Sequence, residues 1–509
     1  MSLNLRRLVG GFCLAAVTST IGLAAGGDVR LIQAVRSKNI ESVRALIKQR
    51  VDVNAPQGDG ATALHWAAHL DDLAMADLLI RSGARVNAAN DDGATPLHLA
   101  CMNRGASMVE RLLAAGANAN AKLLNGETVL MTCARTGDAQ AVKALLVHGA
   151  DVNAREPEHD QSALMWAAAQ SHPEAVRLLV ETGADIRARS RTYPQTVVGE
   201  QTQRAGREEL SYTVLRGGGT PLLFAARAGD VESAKVLLAA GADPNDSLPD
   251  GTSALVLAAH SGRGAVGALL LDKGADPNAF GTGYTALHAA VLRSDLNLVK
   301  ALLAHGATPS IRMTKGTPMR RDTTDFNLPN TLIGSTPYLL AAKFLEPDIM
   351  RALVAGGVNA NETMPNGATA LMLAAGMGSG GNESRRGIAV IDFGKVEPES
   401  RVLEGVSAAV SLGVDLNAAN QAGDRALHMA ATLGYDTVVQ LLADHGAELS
   451  VKNKLGLTPL AALLSGGGGR GRGGAAAAAA NGADLTGVDA PRESARASTV
   501  ALLRKLGAQ

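Results

Sequence analysis

Val109, Leu112 and Leu113 fall at helical spacing along residues 108–115, one apolar stripe of a predicted amphipathic helix. Upstream, Leu97-His98-Leu99-Ala100-Cys101 predicts a shorter helix, with small residues where a neighbour must come close. Thr95 is placed to cap that helix with its hydroxyl, and Pro96 sits at the first helical position, where a missing N–H costs nothing. Arg104-Gly105 turns the chain between the helices, and Gly116 ends the second one in a left-handed cap. Ala117-Asn118-Ala119-Asn120 then leads into an extended finger, which Asp92-Gly93 closes in the preceding unit. The cycle of helix, turn, helix and finger recurs around Gly60, Gly93, Gly126, Gly218, Gly251, Gly283, Gly334, Gly367, Gly423 and Gly456, with several steps of 33 residues. A degenerate copy centres on Ser162, and a half-matched unit opens at Val29.

Thr95-Pro96-Leu97-His98-Leu99-Ala100 carries in full the signature of the ankyrin repeat, and Gly149-Ala150-Asp151-Val152-Asn153-Ala154 resembles that family's exit from the second helix. Near copies stand at Thr62–His65, Thr220–Leu223, Thr285–His288 and Thr336–Leu339; at Arg425–His428 an arginine replaces the capping threonine. The resemblance spans residues 28–464 and returns at 498–509, about 11–12 units. It implies an all-α repeat fold, an ankyrin solenoid of stacked helix-turn-helix units with projecting β-hairpin-like fingers. Each unit is too thin to bury its own stripe, so stability comes from stacking on neighbours.

The family pattern places partner contacts on a concave groove, at the positions after the paired alanines of the first helix. Here these include His69, Leu70, Met102, Asn103, Arg135, Arg227, His260, Arg293, Lys343 and Phe344. Four insertions interrupt the period, and loops this long carry function or act as linkers. Residues 188–217 and 312–333 follow a Gly-Ala exit and lengthen fingers three units apart, roughly 30 Å if stacked helices are about 10 Å apart. The first carries Arg191, Tyr193, Arg207 and Tyr212; the second carries Arg320, Arg321 and Phe326. Residues 378–400 fall between the two helices of a unit, and residues 465–497 form a Gly/Ala-rich low-complexity insertion ahead of a terminal helix at 498–509.

The amino terminus stands apart from the repeats. Arg6-Arg7 precedes an uncharged run from Leu8 to Ala25 and a small-residue flank ending at Gly27. That is the pattern of a signal peptide over residues 1–26, with an uncleaved anchor as the alternative, and it predicts an exported protein, periplasmic or secreted. Aromatics make up 3% of the chain against 46% apolar residues in all, which suits thin stacked layers better than one large core. Equal numbers of basic and acidic side chains, 48 each, argue against a nucleic-acid binder driven by bulk charge. Three cysteines without a C-x-x-C exclude a Cys-rich zinc module. Cys101 and Cys133 lie in adjacent first helices, in slots that favour alanine, and read as small buried thiols, with a disulfide as the alternative.

Catalytic and metal chemistry find little support. His65, His98, His288 and His428 hold the signature position, and His148, His305 and His445 precede the glycine that ends a second helix. One per layer, they lack the spacing of paired metal ligands. Gly376–Gly381 matches G-x-G-x-x-G formally but follows a helix. Trp66 and Trp166 share one repeat position and read as core. Asn361 and Asn382 match the glycosylation sequon. The pattern points to a non-catalytic scaffold, without cofactor, monomeric, binding an unidentified protein through groove and fingers. The alternatives are an anionic surface polymer held by the basic fingers and, less favoured, an enzyme-associated module.

Overall fold

A computed structural model describes residues 28–198, 211–317, 326–377, 398–465 and 490–509. The predicted leader, most of residues 378–400 and 465–497, and Arg207, Arg320 and Arg321 lie outside the described residues. Among those described, the α-helices run in twelve consecutive pairs, from Arg30–Arg36 with Ile40–Lys48 to Pro459–Leu464 with Ala490–Lys505. First helices stack on first helices and second on second. The terminal helix begins at Ala490, eight residues before the expected 498. The third insertion lies between Ala370–Ala374 and Glu399–Ser411, the two helices of one pair, as its position implies.

Local chemistry sets these elements. Thr128 and Ser162 cap first helices by accepting from Met131 N–H (3.2 Å) and Met165 N–H (3.4 Å). Asp72, Asp138, Asp230 and Asp295 cap second helices in the same way. The turn between paired helices needs a left-handed residue. Gly137, Gly229 and Gly434 supply it in some units; Asp71, Arg104, Ser294 and Leu345 adopt it, with φ of 51–60°, in others. At the finger turn glycine answers a second need: a Cβ on Gly251 would stand 2.8 Å from the backbone of Gly281 in the next finger.

A side-chain ladder joins successive units at the exit. Asn54, Asn87, Asn120 and Asn153 each donate from Nδ2 to a glycine carbonyl of the next unit and accept, through Oδ1, a backbone N–H two residues further on. Asn245, Asn278, Asn361 and Asn417 repeat the pattern. Asn361, a sequon residue, is thereby committed to the fold. The asparagine is replaced at three exits: by Arg187 and Ser310, which lead into the lengthened fingers, and by Ser450, whose Oγ accepts the Gln509 N–H at 3.0 Å.

The apolar stripes form one continuous core. Leu145 on the second helix Ala139–Val147 is fully buried within it. Leu145→Ala is therefore expected to destabilise the array by about 2–4 kcal/mol, the cost of truncating a buried aliphatic side chain. Chemical denaturation measures it, and a change below about 0.5 kcal/mol would contradict this packing.

Cys101 and Cys133 are joined in a disulfide, Cα to Cα 4.8 Å, which corrects the reading of two separate thiols. They occupy the second and first of the paired small positions in neighbouring first helices. Small residues there let the backbones approach closely enough for a bridge.

Candidate functional site

The ends of the first helices form a strip outside the apolar stack. His69, Met102 and Asn103 are exposed there, and Leu70, Arg135, Arg227, His260, Arg293 and Lys343 are half-buried. Phe344 is a correction: it is 6% exposed and packs into the core, so it offers no surface to a partner. At this second position after the paired small residues burial varies from unit to unit: Asn103 is exposed, Leu70 and Arg293 are half-buried, and Phe344 is buried.

Several strip residues tie neighbouring units together. Asn103 donates to the carbonyl of His69, Thr136 to that of Cys101 (3.0 Å), His172 to that of Arg135 (3.0 Å) and Arg293 Nε to that of His260 (2.7 Å). Lys343 Nζ reaches the carbonyl of Met377 (2.8 Å). These carbonyls lie at helix C-termini, where donors and cations are favoured. Arg135 pairs with the buried carboxylate of Glu127 at 3.1 Å and covers the Trp166 ring at 5.2 Å. Arg36 covers Trp66 at 4.6 Å. Both tryptophans are half-buried, so the core reading holds in part: Trp66 packs against the core, and each ring lies under an arginine of the preceding unit.

The first lengthened finger is a two-stranded antiparallel hairpin, β1 (Tyr193–Val198) and β2 (Ser211–Arg216). Its register sets Tyr193 opposite Arg216, Gln195 opposite Val214, and Val197 opposite Tyr212. Arg216 Nε donates to Gln195 Oε1 (3.1 Å), and the Tyr193 ring meets His159 edge-on at 6.2 Å. Arg191 at the hairpin base is exposed. The second finger folds back on the array: Met313 and Leu328 are buried, and Arg293 stacks 4.0 Å above the Phe326 ring. Two arginines of the fingers are consumed internally. Arg189 donates to the carbonyls of Gly218 and Ser247 (2.9 Å each) and pairs with Asp246. Arg312 donates to the carbonyls of Gly334 (2.6 Å) and Thr363 (2.9 Å). No sequence signal marks this, because an arginine spent on carbonyls reads the same as one facing solvent.

The signature histidines are structural. Nδ1 of His65, His98, His288 and His428 accepts the backbone N–H of the residue before each helix. The proton therefore sits on Nε2, which in His65, His288 and His428 donates to a carbonyl of the next unit. Burial holds His98 and His288 at about 4 and pushes His65 and His428 down as well. His148, His305 and His445 each donate from Nδ1 to the carbonyl four residues back, closing the second helix. Among the described residues no three His, Cys, Asp or Glu side chains gather as a metal site, and no helix is long and apolar enough to cross a membrane.

Stacked helix pairs, projecting fingers and threonine–histidine caps define a repeat solenoid built for contact along its length. The family model for ankyrin repeats in tandem matches residues 31–122, 104–190 and 216–313, and the single ankyrin repeat model matches residues 422–454. The chain belongs to the ankyrin-repeat family, whose domains generally serve as protein–protein interaction scaffolds. Among solved structures it is similar to the human ASB11 ankyrin repeat domain, at 27% identity and a TM-score of 0.39, over 48% of this chain and 98% of that one. No curated protein matches the chain.

Proposed function

We propose that this protein is an exported, non-catalytic scaffold that holds another protein against its first-helix strip and its two lengthened fingers. The observation that carries the reading is the strip itself. Twelve stacked units spend their apolar residues on each other, yet leave Met102 50% exposed in line with His69, Asn103 and Arg227. A large apolar side chain among polar ones suits a protein partner. Both fingers follow a Gly-Ala exit, which supports the reading that one partner spans the two. Export is supported by the leader pattern and by the Cys101–Cys133 bridge, since disulfides persist in oxidising compartments. The polymer alternative loses weight because Arg189 and Arg312 are already engaged.

One experiment tests location and partner together. The native protein is purified from the exported fraction, its N-terminus is sequenced, and it is immobilised to capture proteins identified by mass spectrometry. The expected result is a mature start between Ala25 and Asp28 and a captured protein that survives raised salt. Recovery only from the cytosol with Met1 intact would sink export. Loss of all captured protein at raised salt, with retention of an anionic polysaccharide, would favour the polymer reading.

A further inference from the structure

Arg227 ends the first helix Pro221–Ala228 and is half-buried at the foot of the hairpin. Its side chain makes no hydrogen bond or ion pair among the described residues. One unit further on, Arg263 lays its aliphatic stem against Gly229, where a Cβ would stand 2.5 Å from Cδ. Arg293 repeats the arrangement over Gly262, its Nε 3.2 Å from where a Cβ would be. Glycine at the two inter-helix turns thus leaves room for arginines of the following units to lie along the strip. Arg263 is exposed, and its side chain also has no hydrogen-bonded or ionic partner among the described residues. Two carboxylates are near. Asp250 acts on Arg227 only through space, and Asp295 accepts the Leu298 N–H (2.9 Å) as a helix cap. The hairpin brings a further cation, since Arg216 stands opposite Tyr193 in the register and both lie within electrostatic reach of Arg227.

We propose that the strip from Arg227 to Arg293, walled by the hairpin, is a subsite for an extended, acidic segment of the partner protein. This rests on the scaffold reading above and names the chemistry of what the scaffold holds. A half-buried guanidinium whose only counter-ion, Asp250, acts from a distance has lost part of its hydration without gaining a hydrogen bond, and a carboxylate that reaches it makes good that loss through a forked pair of hydrogen bonds. Burial, then Arg216, push Arg227 down from its ordinary value, the direction expected for a cation awaiting an anion. The surroundings favour a polypeptide over a polysaccharide. Phe224 stands one turn before Arg227 on the same helix and is half-buried, and Phe326 is half-buried beneath Arg293. An extended peptide alternates its side chains and can present acids to the arginines and apolar groups to these residues. A sugar acid offers the second set nothing.

The test uses the full chain and a short fluorescent peptide alternating Glu with Val, beside the same peptide with Gln for Glu. Fluorescence anisotropy is expected to show binding of the Glu peptide only, weakened about tenfold by Arg227→Gln and about threefold by Arg263→Gln. Arg263 is exposed, so its variant reports on binding even if Arg227→Gln disturbs the fold. A Glu peptide that fails to bind, or binds both variants as well as the parent, overturns the subsite. So does equal binding of the Gln peptide. The outcome stays separate from the scaffold reading: a protein partner captured equally by parent and Arg227→Gln leaves the scaffold standing and removes only the subsite.

Discussion

Lowering the pH from about 7.5 to about 4.5 is expected to weaken the folded array by about 2–3 kcal/mol at each of His98 and His288. Both imidazoles are buried and held at about 4, whereas a histidine in the unfolded chain titrates near about 6.5. Above the unfolded value both states are neutral and the stabilisation is complete. Between the two values the unfolded chain takes up protons that the folded chain refuses, so stability falls as the pH falls. Below the folded value the loss levels off. Protonation at Nδ1 would also replace an acceptor by a donor facing the backbone N–H of Thr95 or Thr285. Denaturant unfolding at the two pH values measures the effect. The double variant His98→Gln/His288→Gln should lose less, because glutamine at the third helical position can still accept that N–H without titrating. An unfolding midpoint unchanged across the pH range would show that these rings are not held neutral.

Removal of the Cys101–Cys133 bridge is the second large effect. The bond joins residues 32 apart in sequence, and in the chain-entropy account a closed loop of that size contributes about 3–4 kcal/mol by restricting the unfolded chain. The bridge also staples the third unit to the fourth, side chain to side chain, beside the peptide chain that joins them. Cys101→Ala/Cys133→Ala places alanine in slots that the other units already fill with it, such as Ala67 and Ala68. The folded state should therefore survive, with the cost borne mainly through the unfolded chain. Denaturation of the parent with and without reductant, beside the double variant, should give two matching losses. If the parent is as stable reduced as oxidised, the bridge contributes nothing and its support for export falls with it.

The repeat made most of the fold readable from sequence. Thr95-Pro96-Leu97-His98 states a helix start, and its return every 33 residues states the stack. The insertion points were equally legible, because each disturbs a known period. What escaped was everything decided between units. Cys101 and Cys133 sit one register apart in a linear alignment, which hid that their helices approach to 4.8 Å. Trp66 and Trp166 share an apolar position, yet each ring lies under an arginine of the preceding unit, a partner with no fixed spacing. Phe344 holds the position of Asn103, and both units turn through a left-handed residue, yet Asn103 is exposed while the Phe344 ring packs into the core. Arg189 and Arg227 look alike as letters. One is spent on two carbonyls and a carboxylate, while the other has none of these.

The asparagine ladder separates two kinds of tolerance to added chain. Asn361 reaches Gly413 across 52 residues, because the insertion in that unit lies between its helices and leaves both rungs in place. Chain added there is invisible to the ladder. Chain added at a finger begins just beyond the rung, and in both such units the rung residue has changed, to Arg187 and to Ser310. Arginine has no acceptor to offer a backbone N–H, so the stitch at 187 is dropped by chemistry rather than by distance. For anyone grafting a recognition loop onto this array, the helix-to-helix turn is the conservative position, loaded on a seam that stays sewn. The finger is the adaptable one, where an open stitch frees the loop's base from the units behind it.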